Sequence, residues 1–369
     1  MGLLRGEHRT AQDRLQPGSH FGYQDVGERL EARVGLKQLS GRYHKSPRTL
    51  PCDYTLTDVV LGSGFNGDVR LASSKTYPDH KFAVKNFSFA GVPLCKREQL
   101  EMEVEVFLSI DHPHIARLMD VYEHGEQTAI VMEYMEGGEL FERLARQKRF
   151  QESTASSIAR QMLLALNYIH MHGIIHGDVK LENFMFNSKD ANHLKLIDFG
   201  FSKMVSDVTA VATQSKLCGT MAYLAPEVLE RTLSSQCDQW SLGVVVFVLL
   251  TGHMPFTGTK QEILKNISVG KYRMKEETKA LLSEDAKCFI QALLHIDPKQ
   301  RISARAALDH PFIAGMNMQQ EKSEVCQSVA EALCDFRRQS GFRRQVLSMI
   351  AWSLSYEECS KVEQFFSRD

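Results

Sequence analysis

Within six residues the sequence places a carboxylate, an ammonium and a carboxamide. These are Asp178, Lys180 and Asn183, in the run Ile175-His176-Gly177-Asp178-Val179-Lys180-Leu181-Glu182-Asn183. Twenty residues after Asp178 comes Asp198-Phe199-Gly200. A carboxylate can accept or orient a proton, and a neighbouring lysine can neutralise an anion. Asn and Asp oxygens are hard ligands of the kind Mg²⁺ takes. Singly, Asp and Asn in a loop are ordinary turn residues. The chemistry therefore depends on the elements that bring the two stretches together.

Composition narrows the class. The 369 residues are 43% hydrophobic and 24% charged, an ordinary globular balance with enough chain for a sizeable core. A net charge of −1 gives no global field for a nucleic-acid partner. The eight cysteines form no C-x-x-C pair and no zinc-spaced cluster, so free thiols in a reducing, cytoplasmic compartment are expected. The longest apolar run, residues 242–250, falls well short of the roughly twenty residues of a membrane span and reads as a buried helix. The first residues lack the apolar region of a signal peptide. Met1-Gly2 is followed by Gly6 where the myristoylation pattern needs Ser or Thr.

Residues 1–50 hold nine Lys/Arg against five Asp/Glu, without a sustained period, and read as a flexible basic tail with one candidate helix over 28–36. From Tyr54 the residues turn β-branched and alternating, which predicts strands over 54–61, 69–72 and 81–87. Between the first two lies Gly62-Ser63-Gly64-Phe65-Asn66-Gly67-Asp68-Val69. A dinucleotide fold would need a helix after the last glycine, whereas Asp68-Val69-Arg70-Leu71 is strand-like. Two readings stay open: a plain glycine-rich hairpin, or one laying backbone N–H groups over nucleotide phosphates. Ala83-Val84-Lys85 follows, and an inward lysine is costly unless paired. The helix predicted over 96–109 offers Glu98, Glu101, Glu103 and Glu105. A strand over 128–133 leads into Tyr134-Met135 and Gly137-Gly138-Glu139, and then helices are predicted over 138–146 and 153–171.

In this order and spacing the phrases resemble the signature set of protein kinases. Gly219-Thr220, Ala225-Pro226-Glu227, Asp238-Gln239-Trp240-Ser241-Leu242-Gly243 and Asp297-Pro298-Lys299-Gln300-Arg301 extend the likeness. The resemblance covers about residues 54–313 and implies an α+β, two-lobed protein kinase fold. A small antiparallel β-sheet lobe with one helix (54–133) would precede a large, mainly helical lobe (137–313). Asp178 would then accept or orient the substrate hydroxyl proton, and Lys180 would stabilise the transferring phosphoryl group. Asn183 and Asp198 would hold Mg²⁺. ATP would lie among Leu61, Gly62, Ser63, Gly64, Phe65, Asn66, Gly67, Val69, Ala83 and Lys85, with Met132, Glu133, Met135 and Glu139 at the hinge. Glu103, nine residues before His112, would pair with Lys85.

Lys180 together with Gly219-Thr220 resembles serine/threonine rather than tyrosine kinases, placing Thr220 at the protein substrate. Glu139 and Glu182 stand where basophilic relatives read arginines, which predicts an Arg-x-x-Ser/Thr preference. The rival reading is a pseudokinase or nucleotide-binding scaffold. It would normally lose Lys85, Asp178 or Asp198, and all three are present. One departure favours it: the loop's aromatic tip, Phe65, comes one place early, with Asn66 after it.

Residues 321–369 carry a second signal. Phe342, Val346, Met349 and Ile350 share one apolar helical face, with arginines elsewhere. That pattern suits a calmodulin-type target, a weak membrane-surface element or a helix packed on the large lobe. With Gly-Gly-Glu-Leu-Phe at 137–141 and the 261–313 stretch, it resembles the calcium-dependent protein kinases of the calmodulin-kinase group. In that family an inhibitory junction is released by the protein's own calmodulin-like domain. No EF-hand loop occurs in this sequence. Two explanations stand: a chain stopping before its EF-hand calcium domain, the one favoured, or control by separate Ca²⁺-calmodulin. Arg337-Arg338-Gln339-Ser340 matches the predicted substrate pattern, so Ser340 is a candidate cis occupant of the active site. A monomer is expected. Finally, Gly177 replaces the arginine that most kinases carry there, and Lys216 the usual phosphorylated residue. Both changes predict activity not switched by activation-segment phosphorylation.

Overall fold

The alternating segments from residue 54 onward assemble a six-stranded sheet, in a computed structural model that describes residues 42–64, 67–189, 192–204 and 221–320. In chain order its strands are β1 (Tyr43–Lys45), β2 (Tyr54–Gly64), β3 (Gly67–Ser74), β4 (Lys81–Ser88), β5 (Leu118–His124) and β6 (Gln127–Glu133). They lie in the order β1-β5-β6-β4-β3-β2, all antiparallel except the β1–β5 pair. The register sets Val69 opposite Lys85, and Ala83 opposite Met132. Strand β2 and β3 meet as a hairpin at Gly64 and Gly67.

The strand β1 and the short helix α1 (Leu50–Asp53) differ from the featureless tail expected up to residue 50. Three residues are too few to show a period, and polar anchors dock them instead. His44 Nε2 lies 2.7 Å from Asp120 Oδ1, and Tyr54 Oη donates to Asp120 Oδ2 at 2.5 Å. Tyr122 Oη donates to Asp53 Oδ2 at 2.7 Å. Beneath them Leu50, Tyr54, Phe82, Val84, Tyr122 and Val131 form one buried cluster. The predicted helix over 28–36 lies outside the described residues.

Helix α2 (Leu94–Ser109) carries the glutamates. Beyond the hinge come α3 (Leu140–Gln147) and α4 (Glu152–Met171), whose apolar positions Ile158, Met162, Leu166 and Ile169 are buried. Two short strands, β7 (Ile174–Ile175) and β8 (Phe184–Phe186), flank the 178–183 segment. Strand β8 pairs with β9 (Leu194–Leu196), and β7 with β10 (Lys203–Met204). Helix α5 (Pro226–Leu229) carries Glu227, and α6 (Gln236–Thr251) is buried nearly all round, as its apolar run predicts. Helices α7 (Lys260–Ser268), α8 (Glu276–Leu281), α9 (Glu284–Leu293) and α10 (Ala304–Leu308) complete the unit Met1–Leu308. A second unit, Asp309–Asp369, contributes one described helix, α11 (Pro311–Gln320).

Candidate active site

Lys85 sits on a central strand and is only 5% exposed. Its ammonium contacts the Glu103 carboxylate and lies 3.4 Å from Asp198 Oδ1. Burial works against the lysine's charge, but the two carboxylates more than offset it and hold its pKa above the ordinary value. Asp198 shows the converse. Its burial would raise the pKa, yet Lys85 and the Gly200 N–H, 3.1 Å away, bring it below the usual carboxylate range. Next to it, Phe199 is buried between Phe107 of α2, at 5.0 Å, and His176, at 5.2 Å. That apolar wedge fixes the Asp198 loop against both α2 and the 178–183 segment.

In that segment Lys180 Nζ donates to Asp178 Oδ2 at 2.5 Å. Asn183 Nδ2 donates to the Asp178 carbonyl at 2.8 Å and to its Oδ2 at 3.2 Å. The backbone beneath is tied to α6. Asp238 Oδ2 accepts from the His176 N–H at 2.9 Å and lies 2.8 Å from His170 Nε2, while Oδ1 accepts from the Gly177 N–H at 2.8 Å. Burial alone would raise the Asp238 pKa, but these donors lower it. Gly177 has φ +76°, and a Cβ there would stand 3.2 Å from the Phe201 carbonyl oxygen. An arginine at this position would therefore carry backbone strain.

A family model described as "Protein kinase domain" matches residues 56–313. The chain belongs to the protein kinase family. Three relatives place it further. Serine/threonine-protein kinase RAD53 of Saccharomyces cerevisiae is 37% identical over 71% of this chain and 33% of its own length. Calcium/calmodulin-dependent protein kinase type 1 of Macrobrachium nipponense is 36% identical over 76% of this chain and 80% of its own length. Calcium-dependent protein kinase 3 of Plasmodium berghei is 36% identical over 70% of this chain and 46% of its own length. The chain thus spans a third of the yeast protein and under half of the Plasmodium one. A crystal structure of Rad53 1–466 in complex with AMP-PNP superposes with a TM-score of 0.61, at 37% identity, covering 71% of this chain and 65% of that one. The kinase fold and the likeness to the calmodulin-kinase group are thereby established, and the chain is a protein serine/threonine kinase.

The remaining sites predicted for the kinase domain fall as follows. Leu61, Gly62, Ser63 and Gly64 end β2, Gly67 and Val69 open β3, and Ala83 lies on β4. Met132 and Met135 are buried at the hinge. The backbone of Met135 bonds to none of the described residues. The Glu133 carboxylate is turned away into the large lobe, where Lys195 Nζ holds it at 2.7 and 2.8 Å. Glu139 stands at the start of α3. Burial first, and then Glu142 and Glu182, raise its pKa. Oxygen Oε2 of Glu182 is buried without a hydrogen-bond partner among the described residues. Phe65, Asn66, Thr220, Ser340, Phe342, Val346 and Ile350 lie outside the described residues. Sequence reasoning missed His170 and the bonding of Asp238; the signal available was an acid opening an otherwise apolar helix.

Proposed function

We propose that residues 54–313 transfer the γ-phosphoryl group of ATP to Ser or Thr of protein substrates. The observation carrying this reading is the closed Lys85–Glu103 pair, with Asp198 3.4 Å from the same ammonium. Lys85 holds the α- and β-phosphates, while Met135 offers its unpartnered backbone groups to the adenine edge. The donor set fits Mg²⁺. Lys85 Nζ and the Gly200 N–H both bond to Asp198 Oδ1, leaving Oδ2 without a hydrogen-bond partner among the described residues. Asn183 spends its N–H groups on Asp178, leaving Oδ1 equally open. Bound there, the metal supplies positive charge against the nucleotide phosphates. Asp178 then orients the substrate hydroxyl, and Lys180, already beside it, neutralises charge on the transferring group. Asp198→Asn should abolish labelled-phosphate transfer from ATP to a basic Ser/Thr peptide. Equal transfer by both proteins would sink the enzyme mechanism and leave a nucleotide-binding scaffold.

Substrate choice and control extend this reading. Glu142 and Glu182 both repel the charge of Glu139, and an arginine upstream of the target hydroxyl relieves that repulsion. Peptide arrays should show a gain from Arg three residues before Ser/Thr. We assign residues 321–369 a regulatory role, with Phe342, Val346 and Ile350 as anchors for calmodulin or an EF-hand domain and Ser340 as a cis substrate. The calcium link is supported by the names of two relatives, calcium/calmodulin-dependent protein kinase type 1 and calcium-dependent protein kinase 3. Activity of the chain should rise with Ca²⁺ and calmodulin, and the absence of any response would leave the junction without that partner. The positive φ at Gly177, which would strain an arginine there, supports control independent of activation-segment phosphate, so Thr213→Ala and Ser215→Ala should retain activity.

A further inference from the structure

Lys195 and Glu133 meet where the segments that carry the chemistry converge. Lys195 lies on β9, three residues before Asp198, and Glu133 ends β6, two residues before Met135. The Lys195 ammonium bonds both Glu133 oxygens, at 2.7 and 2.8 Å, and Oε1 also accepts the Arg117 N–H at 2.5 Å. The two side chains are only 12% and 21% exposed, so water competes little for either charge.

Backbone bonds carry this contact into the rest of the site. Leu196 N–H donates to the His114 carbonyl at 3.0 Å, and Ala116 N–H to the Leu196 carbonyl at 2.8 Å. These two bonds fasten β9 to the segment that follows α2, the helix of Glu103. Ile197 N–H donates to the Asn183 carbonyl at 3.0 Å, and Asp198 comes next in the chain. Strand β9 thus leads into both residues read as metal ligands, while Glu133 leads into the hinge. Shielding two opposite charges from water gains little stability over an apolar pair of similar volume. Charge-assisted bonds to both oxygens give something else, a fixed spacing between the strands that carry the two side chains.

We propose that Lys195 is a positioning residue for phosphoryl transfer: through Glu133 it holds the hinge, where adenine binds, at a set distance from Asn183 and Asp198, where the metal binds. The inference rests on the roles given above to Met135, Asn183 and Asp198. A ligand that uses only the hinge is indifferent to the ion pair, whereas one that spans hinge and metal needs it.

The test compares the full chain with Lys195→Met, which keeps an unbranched stem and removes the charge. A double variant, Glu133→Gln with Lys195→Met, still offers an oxygen to the Arg117 N–H and strands no carboxylate, so it separates positioning from folding. Calorimetry follows adenosine, which reaches the hinge, and a non-hydrolysable ATP analogue with Mg²⁺, which reaches both ends. In each variant the Mg²⁺-analogue should bind at least about tenfold more weakly, while adenosine stays within about twofold of the wild type. In peptide phosphorylation the KM for ATP should rise and the KM for the peptide should not. If Lys195→Met alone fails to fold, the double variant decides. Equal weakening of adenosine and analogue, or unchanged binding of both, would overturn the proposal while wild-type phosphorylation, and the function read from it, stand. An analogue that binds the wild type no better with Mg²⁺ than without it would remove the metal reading and the proposal together.

Discussion

Two buried carboxylate–cation clusters, one in each lobe, are built from the same chemistry and left in opposite states. In the large lobe Arg301 meets Glu227 in a two-pronged contact at 2.6 and 2.9 Å. Its other N–H groups reach the carbonyls of His295, Gln236 and Ile296 at 2.9, 2.6 and 3.2 Å. All five donors of the guanidinium are satisfied. In the small lobe a single ammonium, Lys85, faces two carboxylates, Glu103 and Asp198. The Asp198 side chain stays 32% exposed, and one of its oxygens is open. The saturated cluster can only hold the fold together. The unsaturated one has negative charge to spare for a bound cation, which is what a nucleotide-metal site requires.

The comparison can be sharpened from the saturated side first. Arg301→Ala strands Glu227 in the core and should cost about 3–5 kcal/mol of stability, read as a lower denaturant midpoint. A shift within measurement error would mean that the large-lobe cluster is not structural. The Asp238 cluster is a second saturated site, and Gly177 hangs from it. Gly177→Ala forces a Cβ into the positive-φ position and should cost about 1–2 kcal/mol, while keeping the Lys85–Glu103 pair intact. Unaltered stability with lost activity would instead make Gly177 part of the chemistry.

The smallest effect concerns the histidines between the lobes. Burial pushes the His114 pKa down to about 4. In the unfolded chain the ring takes up a proton near pH 6.5, and in the folded protein it does not until about pH 4. The unfolded state therefore binds more protons across that window, and stability falls as pH drops through it. Urea midpoints at pH 7 and pH 5 should differ more in the wild type than in His114→Asn. Equal pH sensitivity in both would remove His114 from that account.

Much of this arrangement was legible in the sequence, because phosphoryl transfer needs residues at fixed spacings. Asp178, Lys180 and Asn183 come from one turn, so their juxtaposition follows from local chain geometry. The pairing of Lys85 with Glu103 rather than Glu98, Glu101 or Glu105 rested on family spacing, and the contact now agrees with it. Contacts across long separations were not legible. The docking of β1 on β5 joins residues nearly eighty positions apart through His44 and Asp120. Asp238 reaches the Gly177 N–H from a separation of 61 residues. Neither leaves a periodic trace, since each depends on one polar atom meeting another in the folded chain.

The contrast between the two clusters is tested most directly by removing one negative charge from each. Glu103→Gln and Glu227→Gln should be compared for thermal unfolding and for peptide phosphorylation per folded molecule. Glu103→Gln should lose at least about a hundredfold in phosphorylation, ~2.7 kcal/mol of barrier, with little change in melting temperature. Glu227→Gln should melt well below the wild type while its folded fraction remains active. The reverse pattern, an unstable Glu103→Gln that phosphorylates normally when folded, would contradict the assignment of chemistry to the unsaturated cluster.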